Sequence, residues 1–168
     1  MQDMMAQAQE TFVNESLDLL QGMEISLNQL ADQPDDVELI NSVFRAAHTI
    51  KGSAGLFGLD DIVSFTHKVE NVLDQVRAGK VEIQAALIEV LLECKDHIEV
   101  LIEQIGLQAD VGIASKSAVL IEALLKQAHG TQSLATTSAA ETDIKRQESP
   151  VPYQPHIGRE ERHSVASD

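Results

Sequence analysis

Apolar residues recur at steps of three and four along most of this chain, the spacing of one face of an α-helix. Phe12, Ser16, Leu19, Leu20, Met23, Leu27 and Leu30 mark the first such stripe. The segment "ADQPDD" then interrupts it at Pro34, whose ring fixes φ and removes a backbone donor. Asp35 or Asp36 is expected to cap a second helix, with a stripe running Ile40, Val43, Phe44, Ala47, Ile50 and Ala54 and stopping around Gly58. Asp60 is the expected cap of a third, carried by Ile62, Phe65, Thr66, Val69, Leu73 and Val76 and closed by Gly79. Leu87, Val90, Leu91, Cys94, Ile98, Leu101 and Ile105 predict a fourth helix up to Gly106. Val119, Leu120, Ala123 and Leu124 predict a shorter fifth ending near Gly130. Four long amphipathic helices with short connections imply an all-α fold, an up-down-up-down four-helix bundle with an additional fifth, C-terminal helix.

Beyond residue 130 the pattern fades. The remainder is polar, lacks apolar period and holds three of the four prolines, Pro150, Pro152 and Pro155. The chain is therefore read as a helical domain over 1–130 followed by a flexible linker or tail over 131–168. Tyr153 and Ile157 are the tail residues able to anchor a partner, although the composition favours a solvated linker.

Composition narrows the choice of partners. With 27 acidic against 12 basic residues the formal charge is −15, which disfavours nucleic acid and anionic membrane and suits a basic protein partner. Aromatic content is 3% and tryptophan is absent, in keeping with helix over sheet. Cys94 is the single cysteine, so no disulfide can form within the chain and no cysteine-rich zinc site is possible. Its position on the fourth stripe makes it a core residue, and a reducing cytoplasm is the simplest setting. The N-terminus "MQDMMAQAQETFVNES" is polar and acidic, and no run approaches eighteen apolar residues. Neither a signal peptide nor a membrane span is expected.

The chemistry concentrates in the second helix. "FRAAHTIKGSAGLFG" carries Gly52 and Gly55 inside a helical pattern, each weakening the helix by about 1 kcal/mol relative to alanine. On a helical wheel His48 lies about 100° from the apolar stripe, on the flank of the bundle. Side chains lean toward the N-terminus of a helix, so the residue one turn later normally covers the one before it. Here that residue is Gly52, with Gly55 close behind, and the imidazole is left open to something as large as another protein. If the second and third helices pair about the Gly58–Leu59 connection, His48 faces the neighbourhood of residue 69 and Lys51 that of residue 66. Thr66, His67 and Glu70 are the polar residues there, and Glu70 lies about 80° off its own stripe.

Together these residues form a coherent phosphoryl acceptor. A carboxylate at Glu70 accepting from Nδ1–H of His48 would fix the tautomer and leave Nε2 outward as nucleophile. Lys51, one turn along, could supply positive charge as negative charge develops on a transferring phosphoryl group. His67 is available to hydrogen-bond within the same cluster. No pocket is needed if the substrate arrives in another protein's active site.

"VFRAAHTIKGSAGLFG", with "THKVENVLDQVRAGK" some twenty residues on, closely resembles the histidine phosphotransfer (Hpt, or P1) domain of the chemotaxis kinase CheA, over about residues 5 to 130. The resemblance implies that His48 of the H-x-x-K-G motif is phosphorylated by the ATP-binding domain of the kinase. It further implies that the group passes to an aspartate of CheY-type and CheB-type response regulators. Lys51 and Gly52 complete the first motif, and His67 and Glu70 match the family's H-x-x-E pair. On the same grounds this stretch is the phosphotransfer part of a protein-histidine kinase with no ATP site of its own. No cofactor is expected in the domain, since ATP and magnesium are used by a kinase domain outside this chain. The chain then reads as an N-terminal piece, cytoplasmic, monomeric in isolation, with its tail leading toward further domains.

Two other classes compete. A metal-binding bundle could draw on His48, His67, Glu70 and Asp74. Carboxylate-bridged di-metal bundles, however, need inward Glu-x-x-His pairs, and none occurs in the helical stretch to residue 130, where Glu93 to His97 is a spacing of four. A non-catalytic helical adaptor using its acidic surface alone would not need the histidine constellation. His97, His129, His156 and His163 have no matched partners and are read as structural or merely exposed.

Overall fold

The structure, a computed structural model, describes residues 1–108 and 110–144, with side chains through residue 130. It contains five helices and, among the described residues, no strand: α1 (Gln2–Asp32), α2 (Val37–Leu56), α3 (Asp60–Arg77), α4 (Ala85–Glu103) and α5 (Val111–Ile144). Helices α1 to α4 pack each against the next and α4 closes back on α1, while α5 lies against α3 and α4. This is the expected all-α bundle with a fifth helix added. No helix is long and apolar enough to cross a membrane among the described residues.

The helix ends follow from their residues. Asp36, rather than Asp35, caps α2: its carboxylate accepts from the backbone N–H of Glu38 at 2.9 Å and of Leu39 at 3.2 Å. At the other end Gly58 adopts φ +67°, Leu59 N–H bonds Ala54 C=O and Gly58 N–H bonds Gly55 C=O. That paired closure is a Schellman turn, which needs a left-handed residue that glycine adopts without strain. Gly79, at φ +72°, closes α3 with the same pair of bonds to Gln75 and Val76. The tight α2 closure corrects one expectation. Asp60 is the first helical residue of α3 and Leu59 holds the cap position without a side-chain bond. Leu59 already serves the turn, so no residue is left over to cap, and Asp60 and Asp61 instead set negative charge in the first turn, opposite the helix dipole.

The core is aliphatic. Leu20, Met23, Leu27 and Leu30 of α1, Val43, Ala47 and Ile50 of α2, Val69 and Leu73 of α3, and Leu87, Leu91 and Ile98 of α4 are all buried. Cys94 is among them, its thiol pushed up to about 12 by burial, with the charge of Glu93 adding to it. Four stripe residues of the first four helices fall short of the interior: Leu19, Phe44, Val90 and Ile105 are only half-buried, whereas Ser26 and Ala46, outside the expected stripes, are buried. On α5 the contact row is Leu120, Leu124 and Ala128, whereas Val119, assigned to the stripe, is exposed.

Helix α5 does not end near Gly130. It continues to Ile144. Gly130 lacks the positive φ that closes α2 and α3, and a lone helical glycine costs only about 1 kcal/mol. The sequence after it, "TQSLATTSAAETDI", is alanine-rich and free of proline, and the first proline beyond is Pro150. Tyr153, His156, Ile157 and His163, and the tail beyond residue 144, lie outside the described residues.

Candidate functional site: an exposed imidazole on the α2–α3 seam

Three turns of α2 and two of α3 set the site. The amphipathic stripe of α2 turns Ala47, Ile50 and Ala54 inward, which leaves His48 on the flank with its side chain 61% exposed. Val69 and Leu73 of α3 turn inward in the same way and place Glu70 at the seam, 11% exposed. His48 Nδ1 and Glu70 Oε1 are 2.8 Å apart. Lys51 Nζ lies 2.7 Å from the other oxygen, Oε2. One carboxylate therefore serves both α2 side chains.

Electrostatics fix the proton. Partial burial alone would raise the Glu70 pKa, but the hydrogen bonds and charges of Lys51 and His48 outweigh it, and the carboxyl stays below the usual carboxylate range. Ionised, it can only accept. The bond therefore runs from Nδ1–H of His48 to Glu70, so the neutral ring has its lone pair on Nε2. That nitrogen has no hydrogen-bond partner among the described residues.

The two glycines are bare for no internal reason. A methyl group built at Gly52 or at Gly55 would meet nothing within 4 Å, so close helix packing does not require either glycine. Both are exposed. The open ground beside His48 is a property of the outer surface.

Not every expected member joins the cluster. His67 is exposed on α3, and no hydrogen bond or ion pair links it to His48, Lys51 or Glu70. Lys51 is 23% exposed and is ion-paired with Glu70. Thr66 is fully buried, with a hydroxyl oxygen that has no partner among the described residues. Asp74 pairs with Arg77 at 3.8 Å instead of approaching His48. No group of three or more His, Cys, Asp and Glu side chains is placed to hold a metal ion among the described residues.

Two features had little or no signal in the sequence. The Phe44 ring lies nearly parallel to that of His48, with centroids 5.9 Å apart and 12° between the planes, and Arg77 sits 4.0 Å over Phe44. The i, i+4 spacing of Phe44 and His48 was visible, but Phe44 reads as core. His97, unmatched in the sequence, is buried between α3, α4 and α5, edge-on to Phe65 and 2.6 Å from Ser117 Oγ.

Comparison with known proteins places this arrangement. The family model of the Hpt domain matches residues 7–107, and the chain belongs to that family. Within it the chain is similar to the chemotaxis protein CheA of Bacillus subtilis, 38% identical over 101 residues, which is 60% of this chain and 15% of that protein. A solved histidine phosphotransfer domain of CheA is 33% identical with a TM-score of 0.58, covering 66% of this chain and 86% of that one. The phosphorylated P1 domain of CheA3 from R. sphaeroides, solved in complex with CheY6, shares the fold. Its TM-score is 0.63 at 24% identity, over 74% of this chain and 98% of that one. The chain spans only 15% of the length of the Bacillus relative.

Proposed function

We propose that this chain is the phosphoacceptor and relay domain of a CheA-type chemotaxis kinase, with His48 as the residue that is phosphorylated. The single observation that carries the reading is the state of one ring: Nδ1 tied to an ionised carboxylate, Nε2 bare, and the side chain mostly exposed. The CheA relatives and the Hpt family match support it.

In the proposed reaction the Nε2 lone pair forms the bond to phosphorus as the bond from phosphorus to the leaving oxygen breaks. The electron pair of that bond departs with the leaving phosphate. The imidazole gains positive charge, and Glu70, already hydrogen-bonded to Nδ1–H, stabilises it. Lys51 holds the carboxylate in place and, with donors to spare on its ammonium, offers positive charge to the incoming group. His67, outside the hydrogen-bonded cluster, is assigned a supporting role by motif alone. The phosphoryl donor in this reading is the ATP-binding domain of a CheA-type kinase, which uses ATP and magnesium, and the domain described here needs no cofactor of its own. The acceptor is the aspartate of a CheY-type or CheB-type response regulator, reached across the bare ground of Gly52 and Gly55. Such a relay operates in the cytoplasm.

Incubation with a CheA-type catalytic domain and labelled ATP tests this directly. An acid-labile adduct on His48, absent from His48→Gln and removed by a CheY-type regulator, is expected. Label that persists in His48→Gln would refute the assignment.

A further inference from the structure

Glu70 holds the His48 ring by one atom, and one hydrogen bond does not define where the opposite nitrogen points. With most of its surface in solvent, the ring could still pivot about Nδ1 and sweep Nε2 through an arc. The ring also packs beside Phe44, one helical turn earlier on the same face of α2, whose ring is 12° from parallel at 5.9 Å. Offset stacking is one of the two arrangements, with edge-to-face, that aromatic rings favour at this separation.

Phe44 is itself held. The Arg77 guanidinium carbon lies 4.0 Å from its ring centroid, within the range of a cation–π contact. Arg77 is oriented in turn by its Nε–H, which donates to Asn41 Oδ1 at 3.0 Å, and by Asp74, 3.8 Å from Nη1. Two residues of α3, two turns apart, thus hold two residues of α2: Glu70 holds His48 and Arg77 holds Phe44.

We propose that Phe44, clamped by Arg77, is a positioning residue for phosphoryl transfer, fixing the tilt of the His48 imidazole and hence the direction of Nε2. The proposal rests on His48 being the phosphoacceptor. In-line attack requires the lone pair to lie along the axis of the breaking bond, and a ring that wobbles spends less time aligned. Phe44 then accelerates acceptance from any donor, including one too small to dock on a protein surface.

The test uses the full chain with Phe44→Leu, Phe44→Tyr and Arg77→Gln, phosphorylated by phosphoramidate, a small donor that needs no partner. The order of the His48 Cε1–Hε1 group is followed in parallel by ¹³C relaxation. Phe44→Leu is expected to slow labelling about three- to tenfold and to loosen the ring, Phe44→Tyr to restore both, and Arg77→Gln to fall between. Wild-type rates in Phe44→Leu and Arg77→Gln, or slower labelling with an equally ordered ring, would overturn the proposal. Slowing seen only with a kinase domain as donor would overturn it too, because it would make Phe44 a docking residue. Arg77 is partly exposed at the surface and keeps the test open should Phe44→Leu fold poorly. No labelling of His48 in the unaltered chain is a separate result, and it strikes the phosphoacceptor reading itself.

Discussion

At the scale of single residues the account turns on Glu70. Its carboxylate is hydrogen-bonded to His48 and ion-paired with Lys51. Replacing it with alanine removes the orientation of the ring and the partner of its positive charge, and about a tenfold or greater loss in the rate of His48 phosphorylation is expected, with far-UV circular dichroism unchanged. Equal rates in the two proteins would remove Glu70 from the mechanism. The same geometry predicts a titration. The folded carboxyl has its pKa lowered, so the stability it contributes is present above the ordinary carboxylate value and is lost as pH falls through the lower folded one. Carboxyl ¹³C shifts should give Glu70 a midpoint below those of the exposed glutamates. Gly52 supplies a second residue-level outcome: since a side chain there meets nothing of this chain, Gly52→Leu should fold at least as well while transfer to a regulator falls sharply. Normal transfer by that variant would leave the glycine without a functional reason.

The members of this site differ in how legible they were. His48 and Glu70 could be placed from two helical wheels and a turn, because their positions depend only on the apolar stripes and the register of an antiparallel pair. Whether Lys51 aims at solvent or at Glu70 depends on rotamers that spacing does not encode. His67 lies one turn before Glu70 on α3, yet it is exposed and outside the hydrogen-bonded cluster, which an i, i+3 spacing does not reveal. Phe44 was taken as core because aromatic residues on a stripe usually are, and the Arg77 that covers it lies more than thirty residues away in sequence.

At the scale of helices the caps and closures were the readable part. Glycine at a helix end with the left-handed φ marks a stop, as at Gly58 and Gly79, and glycine with ordinary φ does not, as at Gly130. Sequence alone does not separate the two, which is why α5 runs past its expected end. The seam that α5 makes with the bundle carries its own prediction. Ser117 donates to Ile113 C=O, so its oxygen accepts from His97 Nε2–H, and Nδ1 of that ring is left buried without a partner among the described residues. Burial first, and then the charge of Lys116, lower the pKa of His97. A group of this kind contributes stability above its unfolded pKa that is lost as pH falls through that value toward the folded one. Below about pH 6.5, unfolding free energy should therefore drop with a slope of at most about 1.4 kcal/mol per pH unit from this residue. Denaturant melts of the parent and His97→Phe at pH 7.5 and 5.5 check this: the parent should lose more stability than the variant, and parallel losses would contradict the assignment.

For the whole molecule, an acidic helical bundle with its reactive nitrogen on the outside divides the work between stability and chemistry. The buried aliphatic row from four helices holds the fold, and no side chain of the His48 cluster belongs to it. His48 is itself exposed and outside that row, so His48→Gln should unfold at the temperature of the parent while losing all acceptor activity. The architecture was readable because each of the first four helices buries one regular stripe. The extension of α5 was not, since its apolar period weakens where the helix goes on.

The position of the phosphorus atom tests the central claim most directly. Chain labelled with ¹⁵N-histidine, phosphorylated and observed for ¹⁵N–³¹P coupling, should couple at Nε2 of His48 and at no other nitrogen. Coupling at Nδ1, which the structure assigns to Glu70, or at a different histidine would contradict it.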